Sequence, residues 1–214
     1  MNKAILEFHN VTIGRSSDPL FDKLNFSVFK EEVTGIWLPR AGGKSTLFSV
    51  IVGLKKPLQG KITRSYRTVG FVPQNVTVYR ELTVEENLRF IGSLHGIDSV
   101  KLQANIESLL EQCHLVELKK VLADDLLSAK GKFLQLACAL IYGPDLLVFD
   151  DATQGMTEED CQRFWNIITT YRSENRNSGN KKKATVLFLS HDEEEIMKST
   201  RAISIHRHKQ EVSP

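Results

Sequence analysis

The residues best suited to phosphate chemistry sit together at Gly42-Gly43-Lys44-Ser45-Thr46. The run matches the second half of G-x-x-x-x-G-K-[ST], in which consecutive backbone N–H groups and a helix N-terminus surround an anionic phosphate. Pro39, Arg40, Ala41, Gly42, Gly43, Lys44, Ser45 and Thr46 then form the loop, with Lys44 placing positive charge on the outer phosphates and the Ser45 hydroxyl ligating Mg²⁺. The expected guest is a nucleoside triphosphate. Leu38 stands where the motif has its first glycine. Glycine permits backbone angles and approaches that a branched side chain resists, so Leu38 is expected to narrow the loop mouth and weaken binding.

A loop of this kind needs a carboxylate on a neighbouring strand to hold the metal, and Leu146-Leu147-Val148-Phe149-Asp150 supplies an apolar run ending in one. Asp151 follows at once, placed to orient or polarise an attacking water. Two aspartates at a strand end are also what a turn or a helix cap uses, and both readings stand open on these residues alone.

Positioning these groups requires strands, and the first third of the chain reads as strands: ILEF at 5–8, LNFSVF at 24–29 and VTGIWL at 33–38 are short apolar or alternating runs bounded by polar turns. The last runs through the glycine loop into KSTLFSVIVGL, whose apolar spacing is helical. Between about 83 and 142 the pattern is helical, with Thr83 and Glu86 spaced as a capping box and SVKLQANIESLLEQCHLVEL carrying apolar residues at three- and four-residue intervals. From 145 strands DLLVFD, ATVLFLS and RAISIH alternate with helices TEEDCQRFWNIITTYR and DEEEIMKST. That alternation implies an α/β protein with a buried parallel sheet and a helical insert. SENRNSGNKKK at 173–183 has nothing to pack and is expected to be a mobile surface loop.

Composition excludes several alternatives. In 214 residues, 28 basic against 26 acidic side chains leave a charge of +2, so no nucleic-acid partner is expected. With 41% hydrophobic residues the chain can bury a core, and no apolar window reaches bilayer-spanning length, since FLQLACALIY is broken by Gln135 and followed by Pro144. The N-terminus lacks the apolar stretch of a secretory signal. Cys113, Cys138 and Cys161 are too scattered for a disulfide framework or metal site, which fits a reducing cytoplasm.

Three further pieces complete an ordered set: Phe71-Val72-Pro73-Gln74 before the helical insert, LACALIYGPDLLVFDDAT, and Leu189-Ser190-His191-Asp192. Together with the phosphate loop they resemble the ATP-binding cassette (ABC) domain of transporters over essentially the whole chain, and VPQNVTVYRELTVEENL looks most like ATPase subunits of ABC-2-type exporters. The resemblance implies one ABC ATPase domain. It has a RecA-like P-loop core with an N-terminal antiparallel β subdomain (about 1–74 and 143–214) and a helical subdomain (about 75–142). It implies ATP and Mg²⁺, with Ser45, Gln74 and Asp150 as metal ligands. Asp151 stands at the catalytic glutamate's position and His191 at that of the switch histidine on the γ-phosphate. Two such domains, identical or different, sandwich two ATP molecules and drive a transmembrane permease subunit, which places the chain in the cytoplasm on the inner face of the membrane.

The same resemblance exposes departures. The family's spacing back from Asp150 puts the LSGGQ signature at Leu126-Leu127-Ser128-Ala129-Lys130; a one-residue deletion gives LSAKG instead. Either register brings Leu127, Ser128, Ala129 and Lys130 toward a partner's γ-phosphate with added side chains, Lys130 substituting at best as a point charge. Asp151 is one methylene shorter than glutamate, Thr157 replaces the aspartate of the following loop, and the adenine-stacking aromatic is missing near residues 13–16. The expectation is a degenerate cassette that keeps nucleotide contact through Lys44, Ser45 and Asp150 and hydrolyses slowly. The alternative is a non-hydrolysing cassette that regulates or scaffolds a heterodimer with an intact one. A soluble cassette acting on DNA or ribosomes would carry coiled-coil insertions or a second cassette in tandem, and this sequence shows neither.

Overall fold

The computed structural model describes residues 3–174, 184–206 and 209–213. Most of the polar stretch 173–183 lies outside the described residues. The chain divides into two compact units, one made of Met1–Phe71, Asp145–Asp151 and Lys182–Pro214, the other of Val72–Pro144 and Ala152–Lys181.

In the first unit, strands β1 (Ala4–Arg15) and β2 (Asp18–Phe29) form an antiparallel hairpin, and β4 (Gln59–Arg64) pairs with the other edge of β1. Both hairpin strands run well beyond the apolar runs read from sequence. The reason is a register shift between Phe8 and Val11, where His9 and Asn10 are both exposed and Asn10 takes φ 49°. Such a bulge breaks the two-residue alternation that identifies a strand. The Asn25 side-chain amide holds it by donating to Asn10 Oδ1 at 2.9 Å.

The second sheet has the order β5-β6-β7-β3-β8-β9. Its centre is parallel: β3 (Val33–Trp37) lies between β7 (Thr185–Ser190) and β8 (Arg201–His206), and β6 (Leu146–Asp150) pairs with β7. Every residue of β6 and β7 is buried, as unbroken apolar runs in a parallel sheet should be. The edge strands β5 (Val69–Val72) and β9 (Lys209–Ser213), the latter antiparallel to β8, escaped the sequence reading, being short or polar. Helix α1 (Lys44–Ile51) buries Leu47, Phe48, Val50 and Ile51 in a core shared with Ile36, Leu146, Val148, Leu187 and Ile203. Helix α6 is only Glu193–Ile196, shorter than its sequence pattern. The Ser199 hydroxyl donates to Ile196 O, and Thr200 is drawn to Val33 O by its N–H and hydroxyl, turning the chain into β8.

The second unit contains α2 (Val84–Leu94), α3 (Ser99–Gln112), α4 (Ser128–Leu140) and α5 (Glu158–Glu174). The expected capping box on α2 is present: Glu86 N–H donates to Thr83 Oγ1 at 3.3 Å, and Thr83 N–H donates to the Glu86 carboxylate at 2.8 Å. The Thr83 N–H and hydroxyl, both donating to that carboxylate, hold the Glu86 carboxyl below its ordinary range, so their contribution is complete at neutral pH and is lost as the pH falls through that range. Thr83→Ala should cost about 1 kcal/mol. For a chain of this size that is a fall of roughly 2–4 °C in Tm, readable by calorimetry, and it should shrink in acid.

Cys113, Cys138 and Cys161 are free, and burial pushes the Cys113 and Cys138 thiols up to about 12, which leaves both inert. Among the described residues no helix is long and apolar enough to cross a membrane.

Candidate functional site

The phosphate-type loop begins where β3 ends. Leu38 is fully buried in the core, and its N–H donates to Ser190 O at 3.0 Å. The expected narrowing of the loop mouth is therefore not what the structure shows: the side chain points into the core instead. Its backbone does not call for glycine either, since within residues 38–46 positive φ occurs at Ala41 (58°) and Gly43 (87°) but not at Leu38. Gly43 is the N-cap of α1 in the left-handed conformation that glycine adopts freely, and it supplies no side-chain cap. The first turn of α1 carries no acidic residue. The Thr46 and Leu47 amides donate to Gly43 O at 3.0 Å, so an anion there would meet the Lys44 and Ser45 amides and the positive end of the helix dipole.

Lys44, buried, places its Nζ 3.2 Å from Asp151 Oδ2. Asp151 Oδ1 lies 3.1 Å from His191 Nδ1, so one carboxylate bridges the loop lysine and the histidine. Asp151 sits at φ 43°, its N–H donating to Leu189 O at 3.0 Å. Aspartate tolerates this left-handed conformation better than most residues, which is a backbone reason for the short side chain at this position.

Asp150 is 2% exposed, and its Oδ1 has no hydrogen-bond partner. Burial raises its carboxyl above the ordinary range, the neighbouring Asp151 adding to the effect, while the hydrogen bond with the Ser45 side chain and the charge of Lys44 oppose it. A buried carboxylate oxygen without a partner, beside a hydroxyl at the start of a phosphate-type loop, is the donor set that suits Mg²⁺ completed by phosphate oxygens and water. The residues present fit that ion.

The structure thus gathers Lys44, Ser45, Asp150, Asp151 and His191 in the first unit. Pro39 and Thr46 are half-buried at the loop's ends, and Arg40 and Ala41 are exposed. Gln74 belongs to the second unit, where its side-chain amide donates to Gln154 Oε1. The four signature-position residues start α4 in the same unit: Leu127 is the N-cap without a side-chain hydrogen bond and is 81% exposed, and α4 begins at Ser128 with Ala129 next. Lys130 is not a free point charge. Its ammonium donates to His114 O at 3.2 Å and lies 5.8 Å from the Phe133 ring centre.

Thr157 has a local structural job, accepting the Asp160 N–H at 3.2 Å at the start of α5. The aromatic packed against Gly43 is Phe21, and it is buried. Sequence reasoning missed Lys132 and Gln154; the signal available for the first was a cation inside the otherwise apolar run of α4.

Comparison with known proteins follows the same lines. The family model for ABC transporters matches residues 21–154, more than half of the chain. "Probable multidrug ABC transporter ATP-binding protein YbhF" of Escherichia coli (strain K12) is 29% identical over 199 residues, 88% of this chain and 33% of that protein. "Nod factor export ATP-binding protein I" of Sinorhizobium fredii (strain NBRC 101917 / NGR234) is 32% identical over 75% of this chain and 50% of its own length. "Zinc import ATP-binding protein ZnuC" of Rickettsia prowazekii (strain Madrid E) is 28% identical over 97% of this chain and 85% of its own. The chain therefore spans about a third of the Escherichia coli relative and half of the Sinorhizobium one, and both export and import proteins are among its relatives. In fold it is similar to the "ATP binding subunit of ABC transporter" (TM-score 0.83, 19% identity, 97% of this chain and 90% of that one). It is likewise similar to the "ATP-binding cassette MJ0796 bound to ADP and Pi" (TM-score 0.82, 18% identity, 97% and 98%). With the loop, the paired aspartates and the histidine in place on this fold, the chain belongs to the ABC transporter family, among its ATP-binding proteins.

Proposed function

We propose that the chain binds Mg²⁺-ATP through residues 39–46 and Asp150, and couples that binding, with slow hydrolysis, to a separate transmembrane permease subunit of an exporter. The observation that carries the reading is the chain from buried Lys44 through buried Asp151 to half-buried His191, set beside Ser45 and the partnerless oxygen of Asp150. In it the amides at the start of α1 take the phosphates, and Lys44 leaves Asp151 for the outer phosphate oxygens. Asp151 then receives the proton of a water whose oxygen bonds to the γ-phosphorus as the bond to the β-phosphate oxygen breaks and ADP leaves, and His191 meets the γ-phosphate. With Nδ1–H given to Asp151, His191 donates to a phosphate oxygen through Nε2 only when the ring carries both protons. Mg²⁺, when bound by Ser45 and Asp150, would neutralise charge on the phosphates.

A second cassette completes the unit, at the inner face of the membrane. The helical subdomain, about 75–142, is the part assigned to the permease. Exposed Tyr79 and Phe90 with ring centres 4.8 Å apart, and exposed Leu94 on the same helix as Phe90, support a protein partner there. The uncapped Leu127 and the engaged Lys130 favour one further reading: the cassette across from this signature belongs to a different chain, and the site that this signature would close is the weaker of two.

Calorimetry with ATP tests the core of the proposal. Wild type should bind ATP more tightly with Mg²⁺ than without. Asp150→Asn should bring the two affinities together, and Mg²⁺-independent binding in wild type would reject the assignment.

A further inference from the structure

Helix α4 is apolar along most of its length, with Phe133, Leu134, Leu136, Ala137 and Leu140 buried, yet two buried positions carry polar side chains. Lys132 is 6% exposed and Gln135 4%, one helical turn apart on the same face. Burying an ammonium is costly unless its donors are used, so what Lys132 holds explains its presence. It donates to Ala152 O at 3.0 Å and to Gln154 O at 2.6 Å, carbonyls of the turn that immediately follows Asp151. Gln135 Nε2 donates to Asn75 O at 3.2 Å and to Thr77 Oγ1 at 3.0 Å, in the segment that follows Gln74. The same helix approaches that segment closely, since a methyl group on Gly131 would sit 3.3 Å from Val76 Cγ1. The two segments are joined in turn by the Gln74 to Gln154 side-chain hydrogen bond.

The geometry points to Lys132 as a positioning residue that holds the turn behind Asp151, together with the Gln154 side chain engaging Gln74, in register with α4, while Gln135 braces the Gln74 side of the same pair. Its consequence for turnover rests on the proposed roles of Asp151 and Gln74. Because α4 opens on Leu127–Lys130, any shift at that end reaches both loops through one helix face. A leucine or methionine at 132 would fill the same space and hold neither carbonyl.

The test uses the full chain, with Lys132→Met keeping length while losing the donors and Lys132→Arg keeping charge and donors. Hydrogen exchange read by mass spectrometry should show faster exchange confined to residues 152–156 in Lys132→Met, and protection regained in Lys132→Arg. Gln135→Leu should instead loosen 75–77. Mg²⁺-ATP affinity of Lys132→Met should stay within about threefold of wild type while single-turnover hydrolysis falls about 10- to 100-fold, as loss of positioning rather than of binding requires. Unchanged protection at 152–156 overturns the inference, as does a loss of protection and affinity across the whole chain. A wild type that binds no Mg²⁺-ATP sinks the nucleotide reading instead, and the exchange comparison still decides whether Lys132 holds the turn.

Discussion

Asp151→Asn is expected to bind Mg²⁺-ATP about tenfold more tightly and to hydrolyse it about 10²- to 10⁴-fold more slowly, the second range being what a positioned general base contributes. The opposite signs follow from one ion pair. Without nucleotide the Lys44 ammonium is engaged by Asp151 at 3.2 Å, so a phosphate must first take it over. Once it has, the carboxylate is left as a negative charge beside more negative charge, in a buried setting where such interactions are strong. Asparagine has the same shape, accepts the left-handed φ of 43°, and keeps an acceptor for His191 while removing the charge. Binding therefore loses a competitor, and chemistry loses its base. Calorimetry and single-turnover kinetics read the two effects separately. A weaker affinity in Asp151→Asn would mean that the carboxylate holds Lys44 in its working place rather than away from it.

Much of the fold was legible because its informative parts obey simple periods. The buried runs of β6 and β7 read as strands of a parallel sheet, and Thr83 with Glu86 marked the start of α2. The hairpin was less legible, since the bulge at His9 and Asn10 interrupts alternation in the middle of β1. At the candidate site the motif residues were found by type and spacing, but their relations were not. That Leu38 faces the core depends on where β3 ends beneath its neighbours. That Asp151 bridges Lys44 and His191 depends on a backbone angle that no composition rule reports. Lys130 illustrates the same limit. As a residue type it suggested a free charge, and only the fold shows it bonded to His114 O.

Lys44→Met should lose about 10²- to 10⁴-fold in ATP affinity, corresponding to two charge-assisted hydrogen bonds at about 1.5–3 kcal/mol each. The raw result needs a second variant to be interpretable, because Lys44 is also half of a buried pair. Removing it leaves Asp151 with His191 alone, and breaking a buried pair from one side costs about 3–5 kcal/mol. For a chain of this size that predicts a fall of roughly 6–20 °C in Tm, enough to mimic lost binding through lost folding. Lys44→Met with Asp151→Asn removes both charges together. The double variant should recover most of the stability, since the orphaned carboxylate is gone, while remaining as poor a binder as Lys44→Met. Recovery of stability without recovery of affinity separates the lysine's structural role from its nucleotide role. If the double variant recovered nucleotide affinity along with stability, the amides at the start of α1 would be sufficient for the phosphates, and Lys44 would be serving chiefly to neutralise Asp151.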